Sequence, residues 1–177
     1  MSAMAEATED RRPLVALVCL WTLTYLGRGW LGHASLTTSA WDLSVFDYTL
    51  DGLRHGRIAV VPFMGQSLFS HHFMPTLAAL VPAYAVWPSP ITLILMQTAA
   101  MAVAAVLLWK LMPGRLPTTL RLAIVVTFLF SRGSHSAVTS YFYVECLEPA
   151  LVFGFVLAWR RGAWRWYWPL VVLALGC

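Results

Sequence analysis

The chain has 177 residues, of which 59% are hydrophobic and only 11% charged, with a mean hydropathy of +0.69. A soluble domain carries about 25% charge, so this much apolar surface cannot be hidden in one soluble core and the bilayer is the natural solvent. The net charge of +4 comes from short basic clusters set between apolar runs, the pattern of membrane topology signals rather than of a nucleic-acid-binding face, and no nucleic-acid partner is expected.

Residues 1–12 are polar and mixed in charge, and predict a disordered cytoplasmic tail. Residues 13–177 then predict a single membrane domain. The first span is expected at 14–31, about 18 residues and just long enough to cross. The polar loop that follows holds DLSVFDYTLDGLR, in which Leu43, Phe46, Leu50 and Leu53 fall on one helical face. A short amphipathic helix over 42–54, lying on the membrane surface, accounts for that pattern, and Ile58 to Phe63 suits a short extended piece. The apolar stretch 73–87 contains Pro82 and ends at Pro88-Ser89-Pro90, which makes it marginal as a span. Residues 91–111 make a far better one, and further spans are expected at 118–131, at 146–160 and, in part, at 166–177. The partial last segment predicts a chain truncated at its C-terminus.

Three basic clusters decide the topology: Arg11/Arg12, Lys110/Arg115/Arg121 and Arg160/Arg161/Arg165. All three fall on the cytoplasmic side if 73–87 is a re-entrant or surface helix on the outer side. The expectation is therefore an all-α multi-pass protein of the cytoplasmic (inner) membrane with about five transmembrane helices and a cytoplasmic N-terminus. All five histidines and the acids Asp42, Asp47, Asp51, Glu145 and Glu148 then share the outer face.

Ionisable groups collected at a membrane boundary are candidate functional groups. Asp42 and Asp47 can supply a general base or a metal ligand, although Asp42 also suits an N-cap. Asp51 suits an ion pair with Arg54, three residues on. Arg54 and Arg57, placed outside against the usual bias, suit phosphate or anionic lipid heads. His72 can bind phosphate or position a carboxylate, whereas His71 reads as interfacial polarity. Glu145 and Glu148 share one face at a helix start. Cys19, Cys146 and Cys177 show no metal-ligand spacing.

Three segments, taken together, resemble a known family. DLSVFDY (42–48) resembles a first-loop motif of the Asp-Leu-Gly-Ile-Phe-Asp-Gln type. HFMP, opening residue 72 onward, and the Pro-Ser-Pro after it are similar to a second block that starts His-Phe-Ser-Pro. YFYVECLEPAL (141–151) resembles a Phe-His-Pro-Glu-Ala-Leu block. Order and spacing agree over roughly residues 14–170. On these residues the chain resembles the predicted membrane proteins called domain of unknown function 2079, which look like GT-C glycosyltransferases. Ser44, Tyr48 and Met74 depart from the motifs, and Tyr143 and Val144 stand where the family has His-Pro.

The resemblance implies a GT-C-like N-terminal module that transfers a sugar from a polyprenyl-phosphate donor on the extracytoplasmic face. Catalytic roles are implied for Asp42 and Asp47, and substrate or phosphate binding is assigned to Arg54, Arg57, His72 and Glu145. No metal ligand is assigned, and a divalent metal stays open as a cofactor. The expected partners are the bilayer and a lipid-linked sugar. The competing expectations are a non-catalytic or degenerate membrane protein, and a transporter or flippase.

Overall fold

The computed structural model describes residues 11–37, 40–139 and 142–177. The predicted tail lies outside these residues except for Arg11 and Arg12, and Tyr141 of the third motif lies outside them too. The described residues are almost entirely helical, with one isolated bridge, Val61 to Gln66, where the sequence suggested an extended piece.

Helix α1 runs Arg12–Ala34, opened by Pro13 in its first turn, where a missing N–H costs nothing. Helix α2 (Ala40–Arg54) carries the amphipathic stripe. Leu43, Phe46 and Leu50 are buried, Leu50 completely. They meet Leu77 and Tyr84 of helix α3 (Leu77–Val86) in one core, so the apolar face of α2 packs against protein rather than lipid. Pro82 sits inside α3 without ending it. Helix α4 (Pro90–Leu111) starts where Ser89 accepts a hydrogen bond from the Ile91 amide at 3.3 Å, with Pro90 as its first residue.

Helices α5 (Thr118–Leu129) and α6 (Arg132–Thr139) form a pair bent by 50°. The polar stretch after the expected span 118–131 is thus a helix in its own right. The Ser131 hydroxyl restarts it by accepting the Ser134 amide at 3.2 Å. A 3₁₀ turn at Val144–Leu147 leads into α7 (Glu148–Arg160), and α8 (Trp164–Leu175) returns beside it after Gly162, whose φ is 63°. By length and composition α1 and α4 can each cross a membrane, and the bent α5–α6 pair makes a third crossing if it acts as one span. Helices α7 and α8, at 13 and 12 residues, are shorter than a full crossing.

Helices α1 and α4 pack antiparallel and close together. A Cβ on Gly29 would come within 2.5 Å of Ile94 Cγ2, so only glycine fits at that crossing. This pairing puts Arg12 at the same end as Leu111. The Leu111 carbonyl accepts Arg160 Nη1 at 2.7 Å, which brings the end of α7 there. Arg121, 4% exposed, donates Nη2 to the Trp109 carbonyl at 2.8 Å and stacks 4.0 Å over the Trp109 ring. The three basic clusters therefore gather at one end of the bundle. The opposite end is built from α2, α3 and the turns around residues 55–76 and 142–147. Helix α8 reaches back to it: Thr76 Oγ1 donates to the Leu173 carbonyl at 2.6 Å, and the Thr76 amide to Gly176 at 3.2 Å.

Single cysteines placed at Ser67 and at Gly114, in a background freed of the three native cysteines, test this two-ended arrangement. A membrane-impermeant maleimide applied to sealed vesicles is expected to label one site from one side and the other only from the opposite side. Labelling of both from the same side contradicts it.

Candidate functional site

Helix geometry sorts the two first-loop aspartates. Residues 42 and 47 are five apart, so at about 100° per residue their side chains point about 140° from each other. One helix cannot turn both into one site.

Asp42, on the side of α2 shared with Val45 and Phe46, lines a cavity of about 520 Å³. His71, His72, Gln66, Tyr143 and Glu145 line the same cavity. Three expected site residues thus come together: Asp42, His72 and Glu145. They arrive from three separate stretches of chain, the start of α2, the turn after Leu68–Ser70, and the 3₁₀ turn before α7. His71 belongs with them, against the expectation from sequence. His71 caps the short 3₁₀ turn and His72 follows in irregular backbone, so both reach the wall of the same cavity. The two rings lie 6.3 Å apart, and His71 Nε2 is hydrogen bonded to the Gln66 side chain. Glu145 and Tyr143 also border a second cavity of about 740 Å³, whose rim includes Glu148, Ser131 and Ser134. The position where the family pattern has histidine is therefore a cavity-lining tyrosine here.

The remaining expected residues lie elsewhere. Asp47 is half-buried and accepts the Tyr84 hydroxyl at 2.6 Å, which ties α2 to α3. Burial raises the carboxyl above the ordinary aspartate value, the Tyr84 hydrogen bond pulls it back, and Asp51 pushes it up again. The Tyr84 phenol is raised in turn by its own burial and by Asp47. Arg54 Nε meets Asp51 Oδ1 at 2.8 Å, the i, i+3 pair expected from the sequence. Arg57 is exposed in the turn beyond α2. At about 1.5 Å per residue, Arg54 sits about 18 Å along the helix from Asp42, too far to share a phosphate with it. Among the described residues no three His, Cys, Asp or Glu side chains come together as a metal site would need.

The composition, the helical bundle and its candidate spans define a membrane protein. The chain belongs to the family of predicted membrane proteins called domain of unknown function 2079 (DUF2079), which matches residues 32–177. The match opens inside α1 and takes in every later helix. No curated protein and no solved structure matches the chain.

The Tyr84–Asp47 bond predicts a pH signature. Asp47 binds its proton more tightly folded than unfolded, so its contribution to stability is fully present below the ordinary aspartate pKa. That contribution is lost as pH rises through the folded value. Thermal unfolding in detergent is expected to show this fall in the wild type and a flatter profile in Asp47→Asn. Tyr84→Phe is expected to cost about 1–3 kcal/mol and to steepen the fall, because the hydrogen bond that lowers the carboxyl pKa is gone.

Proposed function

We propose that this protein is a membrane glycosyltransferase of the GT-C type, working at the extracytoplasmic surface on a polyprenyl-phosphate sugar. The observation that carries the proposal is the cavity in which Asp42, His71, His72 and Glu145 meet. It lies at the end of the bundle away from the basic clusters, which the positive-inside rule assigns to the extracytoplasmic side. A carboxylate that lines one cavity with two imidazoles and a second carboxylate suits a transfer in which one oxygen loses a proton and another gains negative charge.

Asp42 takes the proton of the acceptor hydroxyl as that oxygen attacks the anomeric carbon. The bond from that carbon to the phosphate oxygen breaks on the far side. The electron pair stays with the departing polyprenyl phosphate, whose growing charge His71 and His72 steady as hydrogen-bond donors. Glu145 holds the acceptor's or the sugar's hydroxyls. The apolar walls, Trp41, Phe46, Phe63 and Met74, line the same cavity and suit the lipid end of the donor. Asp47 acts through structure: its bond to Tyr84 holds α2 in the rotation that turns Asp42 inward. Arg54 and Arg57 lie outside this cavity and serve instead as contacts for anionic lipid heads.

A second proposal rests on Tyr143. A phenol where the family motif has an imidazole, lining the same cavity, suits a protein that binds such a lipid without transferring the sugar.

The test supplies membranes carrying the protein with a radiolabelled polyprenyl-phosphate sugar. Loss of a positioned general base is expected to slow transfer about 10²–10⁴-fold in Asp42→Asn, while Asp47→Asn stays within a few-fold of wild type. Label retained by the lipid in wild type, with binding intact, favours the non-catalytic protein. Equal activity in wild type and Asp42→Asn removes Asp42 from the chemistry.

A further inference from the structure

A separate cavity of about 350 Å³ lies across α2 from the one just described, with Leu43 rather than Asp42 in its wall. It is enclosed by the last turns of α1, the early turns of α4 and the end of α6. Two of its polar groups are not used by the fold. Gln97 is 2% exposed. Its Nε2 points to the Val138 carbonyl at 3.4 Å. A carbonyl only accepts, so this contact fixes the orientation of the amide and leaves Oε1 as an acceptor. Among the described residues that Oε1 has no partner. A buried amide oxygen without a donor costs about 1–3 kcal/mol, which is recovered when a ligand brings one. Arg28 also lines the cavity and forms no ion pair among the described residues.

The other polar groups here are spoken for as donors. Ser35 Oγ donates to the Leu31 carbonyl at 2.7 Å, and Thr139 Oγ1 to the His135 carbonyl at 2.8 Å. What the cavity offers an occupant is therefore one cation and several acceptor oxygens. The matching ligand is an anion that also carries hydroxyl donors. Its setting favours a lipid. Arg28 and Gln97 flank the Gly29–Ile94 crossing, near the ends of the two long spans, where headgroups lie. Trp30, 52% exposed, sits at the same level. An apolar cleft of about 320 Å³, lined by Leu23, Leu26, Trp30 and Leu95, adjoins the cavity at Ile94 and fits an acyl chain.

We propose that this cavity binds the headgroup of an anionic, hydroxyl-bearing glycerophospholipid, with its phosphate on Arg28 and a headgroup hydroxyl on Gln97 Oε1. The site is independent of the transferase proposal, because none of its polar groups belongs to the cavity of Asp42, His72 and Glu145.

Native mass spectrometry of the detergent-purified protein tests it with phosphatidylglycerol, phosphatidic acid and phosphatidylcholine of matched acyl chains, and with soluble glycerol phosphate. Phosphatidylglycerol is expected to be retained about ten-fold better than phosphatidylcholine. Arg28→Gln should remove that preference and Arg28→Lys should restore most of it. Gln97→Leu should keep the preference for anionic lipid but lose the advantage of phosphatidylglycerol over phosphatidic acid, about three- to ten-fold. Arg28 is exposed, so its variants keep the test valid if the buried Gln97 variant misfolds. Equal retention of the three lipids overturns the proposal, as does soluble glycerol phosphate binding as tightly as the lipid.

Discussion

A hydrocarbon layer admits almost no charge, and the architecture of this protein follows from where that leaves its ionisable groups. The basic residues near Arg12, Lys110 and Arg160 are drawn to one end of the bundle. Asp42, His72 and Glu145 are held at the other. Two polar side chains that reach toward the apolar interior show how they are accommodated there. The Arg121 guanidinium lies on the Trp109 ring and donates to the Trp109 carbonyl, which also accepts the Met112 amide at the end of α4, and His135 Nδ1 meets the Tyr25 hydroxyl at 2.8 Å. With charge confined to the ends, the helices between them need only pack, and small residues such as Gly29 let them do so closely.

The polar end is organised by α2, whose two sides do different work. One side buries Leu43 and Leu50 and ties Asp47 to Tyr84. The other presents Asp42 to the cavity. The Tyr84 hydrogen bond joins α2 to α3 on that side. Gly52 closes the same helix tightly: a Cβ there would come within 2.6 Å of Ala59 Cβ. The turn that follows is therefore folded back against the helix that carries the aspartates.

Much of this was legible in the sequence. Helices occupy every apolar segment expected, because runs of Leu, Val, Ile and Ala bounded by Pro-Ser-Pro, Pro113-Gly114 and Gly162 leave few other solutions. The burial of α2 against protein was not legible, because an amphipathic stripe looks the same whether lipid or α3 covers it. The break at Phe130–Ser131 was visible as polarity, but its helical continuation depends on one serine hydroxyl reaching one amide. Among the candidate residues, the divergence of Asp42 and Asp47 was available from their five-residue spacing alone. The convergence of His71 with Asp42 was not, since it depends on a 3₁₀ turn and on which strands of irregular chain meet in space. The free oxygen of Gln97 had no sequence signal at all: a glutamine in an apolar helix reads the same with one partner as with two.

The hydrogen bonds between Thr76 and the end of α8 join segments 97 residues apart in the chain. Thr76 follows Pro75 directly, only four residues after His72, so the histidine turn hangs from a support that α8 completes. In chain order Asp42 and His72 precede Glu145, and all three precede the Leu173 and Gly176 carbonyls that anchor Thr76. The histidine turn therefore gains this support only once α8 has docked against it.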